Sequence, residues 1–312
     1  MIPKVSILIP NYNHKPYLQQ RLDTVFGQTF QDFEVILLDD ASTDGSQEVL
    51  ERYRNHPKVA HLIMNSNNSG SPFKQWQKGI DLAKGEYIWI AESDDYCELS
   101  FLESLLARMN KETGICYSQS IDVDESGKTL LNRIDYTKEF DPNIWKADFE
   151  ISGLEFIEKY FIIKSVIPNA SAVIFRRKLV HESIFRKELL KMKMCGDWFF
   201  WLQITLETNV GFLAKDLNYF RYHGKVSRNH TTLKKKKQRL IEEGITRSFF
   251  LKNYNLGNKS SEKYYYKKWF RLHQLSSILK PSFYKGKLFK TSIFTFINNF
   301  LFFKVRKYKS KL

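Results

Sequence analysis

The sequence predicts an α/β fold in which a mostly parallel, doubly wound sheet is flanked by helices on both faces and followed by a basic helical C-terminal extension. Three observations carry that expectation. Short β-branched or aromatic runs bounded by turn residues alternate with helical segments. Three of those runs end in polar and acidic clusters, and the charge is split between an acidic first half and a basic second half.

The elements follow in order. "KVSILIP" (4–10), "FEVILLDD" (33–40), "VAHLIM" (59–64) and "EYIWIAESDD" (86–95) read as strands. Between them, 16–27 reads as a helix with Leu18, Leu22 and Val25 on one face and Pro16 near its start. Residues 44–54 carry Val49, Leu50 and Tyr53, and 72–84 is closed by Gly85. Strands this apolar, alternating with helices, belong to a parallel sheet covered on both faces. Further on, 98–109 reads as a helix, and "SVIPNASAVIFRRKLV" (165–180) as a turn at Pro168-Asn169 leading into a strand.

Length and composition narrow the class. With 312 residues, 43% of them hydrophobic, the chain suits one large α/β domain with an appendage. Cys97, Cys116 and Cys195 are odd in number and lack ligand spacing, which argues against a disulfide framework or a zinc site and for reduced thiols. The N-terminus lacks the charged and longer apolar regions of a signal peptide, and no run reaches the roughly 18 apolar residues of a spanning helix. The expectation is a cytoplasmic protein whose membrane contact is peripheral. Residues 1–150 carry 15 Lys and Arg against 24 Asp and Glu, whereas 151–312 carry 34 against 10. Sign alone does not choose among nucleic acid, anionic lipid and anionic substrate.

The polar strand ends say more. In doubly wound sheets the ligand lies beyond the carboxyl ends of the strands. "PNYN" (10–13), "DDASTDGS" (39–46) and "ESDD" (92–95) would all be delivered to that edge. Any one set alone is equally a turn or a helix cap. Three at corresponding strand ends point to a binding edge.

The stretch "VSILIPNYNHKPYLQQRLDTVFGQTFQDFEVILLDDASTDGS", with "NSGS", "AKGEYIWIAESDDY" and "GDW" after it, resembles the family 2 glycosyltransferases over about residues 3–230. The resemblance implies a GT-A fold and an inverting enzyme. Its catalytic domain would be 1–230, with a nucleotide-sugar part at about 1–115 and an acceptor part at about 116–230, leaving 231–312 as the basic extension.

The resemblance also implies roles. Pro10, Tyr12, Asn13, Asp39 and Asp40 would bind the nucleotide. Tyr12 would stack on the base, and Asp40, with Asp39 beside it, would accept a charge-assisted hydrogen bond from a ring N–H. Glu92, Ser93 and Asp95 would meet the donor sugar and diphosphate. Asp94, Asp95 and His223 would hold a divalent metal, Mn or Mg, that stabilises the departing diphosphate. Asp197 would be the general base, its pKa raised by Trp198, Phe199 and Trp201 around it. Arg221, Lys225 and Arg228, close to His223 in the sequence, could take diphosphate oxygens or equally be solvated surface. Each residue also has a plainer use: "ESDD" could cap the following helix, Asp197 its own helix, and His223 could simply be packed. Two departures stand out. Glu92 replaces the commoner Asp, and Trp76 stands roughly where many relatives carry an arginine, leaving Lys74 or Lys78 to compensate.

The tail differs in kind. Residues 231–312 carry 21 Lys and Arg against 3 acids. Within 288–312, Phe289, Ile293, Phe296, Ile297, Phe300 and Phe303 recur at helical spacing, with Ser292, Thr295, Asn298 and Asn299 mostly opposite. An amphipathic helix followed by lysines suits an anionic membrane surface; the alternative is a helix folded onto the protein's own core.

The expected function is transfer of a sugar from a nucleotide-diphospho-sugar, UDP-linked by first choice, to a hydroxyl of a glycan or lipid-linked acceptor in cell-surface polysaccharide or glycolipid synthesis. A sugar nucleotidyltransferase would normally show a glycine-rich loop after the first strand, and "IPNYNHKPYL" has no glycine. A nucleic-acid-binding protein is disfavoured because the strand ends are acidic and would repel phosphate without a metal.

Overall fold

Strands β1 (Val5–Asn11), β2 (Phe33–Asp39), β3 (Val59–Met64) and β4 (Tyr87–Ile90) lie in the order β3-β2-β1-β4, all parallel. These elements come from a computed structural model that describes residues 2–224 and 232–309. Every residue of β1, β2 and β4 is buried, which explains why their sequences are apolar throughout instead of alternating.

The two-residue period of the strands distributes them between two cores. Val5, Ile7, Ile9, Val35 and Leu37 face one side, packed by helices α1 (Lys15–Phe26), α2 (Ser46–Glu51) and, beyond the short β5 (Tyr96–Cys97), α4 (Phe101–Leu106). Leu8, Ile36, Leu38, Ile88 and Ile90 face the other side, covered by α3 (Pro72–Leu82) and later helices. The expected helices are present; those over 44–54 and 98–109 are shorter than their patterns.

The second half of the sheet is mixed. β6 (Thr113–Val123), β7 (Thr129–Asn132), β8 (Phe149–Ser152), β9 (Val173–Arg176) and β10 (Asn209–Arg221) extend it to β4-β9-β6-β10-β5, with β7 on β6 and β8 on β10. β9 is antiparallel to both β4 and β6, so β6 and β10 run in the direction of β1. Helices α5 (Gly153–Phe156), α6 (Lys187–Lys191) and α7 (Gly196–Thr205) lie between these strands in the chain.

Helices α8 (Leu233–Tyr254), α9 (Lys259–Arg271) and α10 (Ile293–Lys309) complete the described chain. α8 joins two cores, since Phe250 packs with α7 residues while Leu240 packs with Tyr265, Trp269 and Phe283. The amphipathic face expected over 288–312 is partly taken inward. Of that face, Phe296 and Phe300 are buried in the last core while Phe289 and Ile293 are exposed; Phe294, Leu301, Phe302 and Val305, which lie outside the expected face, are exposed as well. Among the described residues no helix is long and apolar enough to cross a membrane.

Candidate active site

Strand register brings the three polar sets to one edge. Asn11 pairs with Asp39, and Leu8 pairs with Ile90, so 11–14, 39–46 and 91–95 all leave the sheet at its carboxyl end.

The two adjacent aspartates divide the work. Asp39 is fully buried and accepts from Asn11 Nδ2 (2.8 Å), the Ser42 backbone N–H (2.9 Å) and Gln47 Nε2 (2.9 Å). It therefore fastens the loop after β2, in which Ala41 takes a left-handed φ of 61°. Asp40 Oδ1 accepts from Asn65, the Ser69 backbone N–H and Gln75, while Oδ2 accepts from Ser69 Oγ alone. A carboxylate offers about four acceptor positions, so Oδ2 keeps capacity that Oδ1 has used. Pro10 lies within buried β1, and the Tyr12 ring is 46% exposed. Asn13 Oδ1 accepts from the Thr43 backbone N–H (2.8 Å), bracing the same loop.

After β4 the chain turns through Glu92, Ser93, Asp94 and Asp95. Glu92 accepts from Trp76 Nε1 at 2.9 Å, and burial pushes its pKa up to about 8. The two departures from the family pattern are thus partners in space: the longer acid meets the indole. Lys74 and Lys78 instead direct their ammonium groups to Ser69 O and Asn65 Oδ1. Arg21, also fully buried, donates from Nε to the Glu92 carbonyl and supplies positive charge beneath the acidic turn.

Asp94 Oδ2 stands 3.0 Å from His223 Nε2 and 3.9 Å from His14 Nε2. Ligand atoms of His14, Asp94 and His223 lie within 4.8 Å of one another. Ser93 Oγ is 2.9 Å from His14 Nδ1, the other ring nitrogen. One carboxylate oxygen with two imidazole nitrogens is a donor set that fits a divalent transition ion.

Asp95 points elsewhere. Its carboxylate accepts from Asn169 Nδ2 (2.6 Å), Ser171 Oγ (2.7 Å) and the Arg221 backbone N–H (3.1 Å), and burial, reinforced by Asp94, raises its pKa to about 6. It ties the acidic turn to the 169–172 turn and to β10, while His14 stands in the cluster where the sequence suggested Asp95. Arg221 is likewise engaged, donating to Asp94 O, Glu125 O and Gln20 Oε1. Lys225 and Arg228 lie outside the described residues.

Asp197 enters from a different wall. α7 is apolar around its whole circumference, and every residue in it except Asp197 is buried. Its start fits closely against α3: a Cβ on Gly196 would sit 2.2 Å from the Phe73 ring, so only glycine allows this approach. Asp197 Oδ1 accepts from the Trp198 backbone N–H (2.8 Å). Asp197, Glu92, Asp94, Asp95 and His14 line one cavity of about 240 Å³, below the ~300–1,000 Å³ of drug-sized sites and suited to one sugar unit. Lys193 lines it too.

Sequence reasoning missed His14, Lys193, Asn169 and Ser171. His14 was within reach, one residue past "PNYN"; for the others only the turn at Pro168-Asn169 gave a signal.

The glycosyl transferase family 2 model matches residues 6–183. A glycosyltransferase from Streptococcus pneumoniae, GlyG, is 33% identical over 126 residues, 39% of this chain and 40% of its own. The Campylobacter jejuni GalNAc(5)-diNAcBac-PP-undecaprenol β-1,3-glucosyltransferase is 24% identical over 209 residues, 67% of this chain and 60% of its own. The chain thus spans less than two thirds of the length of these relatives. Among solved structures, S. aureus TarS 1–349 in complex with UDP-GlcNAc superposes with a TM-score of 0.61 at 18% identity, covering 98% of this chain and 92% of that one. That likeness shows the fold, which is of the GT-A type.

Proposed function

Because this chain belongs to glycosyl transferase family 2, we propose that it moves a sugar from a nucleotide-diphospho-sugar, UDP-linked by first choice, to a hydroxyl of a glycan or lipid-linked acceptor, with inversion at the anomeric carbon. The observation that carries this reading is one cavity with Asp94 and His14 on one wall and Asp197 on another. Donor chemistry and proton removal need that separation.

The residues divide as follows. The exposed Tyr12 ring offers a stacking face for the base, and the under-used Asp40 Oδ2 an acceptor for its ring N–H. Asp39 and Asn13 hold the loop that presents them. Glu92, fixed by Trp76, faces the donor sugar, and the buried Ser93 hydroxyl holds the His14 ring. His14, Asp94 and His223 are the residues that would hold a divalent cation, Mn in preference to Mg given two imidazoles. Such an ion would screen the charge on the leaving diphosphate. Asp95 positions the acidic turn.

Asp197 takes the proton from the acceptor hydroxyl as its oxygen bonds to the anomeric carbon. The carbon–diphosphate bond breaks on the opposite face, its electron pair leaves with the diphosphate, and the configuration inverts.

The exposed Phe294, Leu301, Phe302 and Val305, with Arg306, support a peripheral contact of α10 with an anionic membrane at its inner face, where lipid-linked acceptors would be met.

The test is a thermal-shift panel of UDP-, dTDP- and GDP-sugars with and without Mn²⁺. We expect one nucleotide class to stabilise the protein in a metal-dependent way that Asp94→Ala abolishes, as mass action requires of a specific ligand. No stabilisation by any donor with metal present would refute the reading.

A further inference from the structure

A second cavity, of about 290 Å³, adjoins the first at Asp197 and Met194. Its far wall belongs to α8 and α9, beyond the span of the family match. Five cationic side chains line it: Arg133, Lys164, Arg239, Arg247 and Lys268.

Two of them are matched. Arg133 meets Asp122 at 2.7 Å and Lys164 meets Glu139 at 2.7 Å. The other three share a single carboxylate. Glu243 stands 3.2 Å from Arg239, 3.3 Å from Arg247 and 3.6 Å from Lys268. With Asp122, Asp197 and Glu243 the carboxylates on a lining that carries five cations, positive charge is in excess at the cavity wall. Burial, then the charges of Arg239, Arg247 and Lys164, pull Lys268 below its ordinary value in spite of Glu243. Arg247 is 4% exposed, lies over the Trp198 ring at 4.7 Å, and its Nε has no hydrogen-bond partner. A cavity lined by a surplus of cations calls for an anion with several acceptor oxygens. The surplus sits next to the indole of the residue that follows Asp197, so the anion lies on the acceptor side.

We propose that this cavity binds a phosphate group of the acceptor, so that the enzyme takes acceptors carrying a phosphate ester or diphosphate close to the hydroxyl that reacts. The assignment rests on the glycosyl-transfer reading, because Asp197 defines the acceptor side. The phosphate could belong to an alditol-phosphate polymer or to a lipid-linked sugar diphosphate; both present the same oxygens to Arg239, Arg247 and Lys268.

The experiment is equilibrium titration of the full-length protein with a short glycerol-phosphate oligomer and with an alkyl hexosyl diphosphate, each beside a phosphate-free counterpart. UDP is titrated in parallel. Arg239→Gln and Lys268→Gln are the chosen variants, since both side chains are about a third exposed, at 32% and 34%, and thermal melts of each confirm that it is folded before titration; Lys268→Arg keeps the charge. We expect wild type to bind at least one phosphate probe more tightly than its counterpart, with the preferred probe identifying the source. The two glutamine variants should weaken that probe about tenfold or more while Lys268→Arg and UDP affinity change little. Phosphate probes no tighter than their counterparts in wild type would overturn the proposal, as would glutamine variants that bind them undiminished. A parallel loss of UDP affinity would assign the cations to the donor and overturn it equally. If wild type fails to bind UDP, the donor reading falls, and the probe comparison still decides whether the cavity takes phosphate.

Discussion

At the scale of single residues, the Trp76–Glu92 pair shows how a departure from a family pattern can be two changes acting as one. An acid one methylene longer than aspartate reaches the indole N–H; the indole is buried and the carboxylate partly so. Trp76→Phe keeps the ring but leaves the carboxyl without its donor. We expect a loss of about 1–3 kcal/mol in stability, the cost of an unsatisfied buried polar group, together with weaker donor binding. Thermal melts with and without donor read both. Asp94, Asp197 and His223 were legible because short motifs in strand or helix context mark them. The difference between Asp39 and Asp40 was not. It depends on Ser42, Gln47, Ser69 and Gln75, whose loops come together only through the sheet register. His14 escaped because its partners, Ser93, Asp94 and His223, are far away in the chain.

At the scale of elements, α7 and α10 carry the sharpest expectations. Gly196→Ala would press a methyl into the Phe73 ring and tilt the start of α7. Overpacking of this kind costs about 1–3 kcal/mol, and turnover should fall further than donor affinity because Asp197 moves while the donor wall stays. Stability curves and donor titrations separate the two effects. In α10, Phe296→Ala opens the last core and should cost about 3–5 kcal/mol. Phe294→Ser with Phe302→Ser touches only exposed rings. This pair should leave the melting temperature unchanged and weaken co-sedimentation with anionic liposomes; unchanged binding would remove α10 from the membrane proposal. The amphipathic spacing in the sequence revealed a helix but not which neighbour would claim Phe296 and Phe300, since that depends on the fold of α9 and the 275–286 segment.

Across the whole molecule, the chain through β4 was read almost element by element, because buried parallel strands are continuous apolar runs with turn residues at both ends. The mixed half of the sheet was less legible. β9 enters antiparallel between β4 and β6, and no local pattern announces the direction of a strand. The joint between the sheet and the C-terminal helices was invisible too. There Glu243 is pushed up by burial, but Lys268, Arg247 and Arg239 outweigh this and hold it below its ordinary carboxylate value. A carboxyl lowered on folding adds stability above its unfolded value of about 4.3 and loses it as pH falls through the lower folded value. Acid should therefore loosen α8 from α9 in that window, and Glu243→Gln should flatten this part of the pH–stability curve, followed by denaturant midpoints from neutral pH downward.

The division of labour across the first cavity is the centre of the account. It is tested most directly by single-turnover release of nucleoside diphosphate, with donor saturating, in wild type, Asp94→Ala and Asp197→Asn. We expect Asp94→Ala to lose metal-dependent donor binding, and Asp197→Asn to bind donor as wild type does while releasing product roughly 10²-fold or more slowly, the loss expected when a general base is removed. Near-wild-type release by Asp197→Asn, under conditions where chemistry limits the rate, would contradict it.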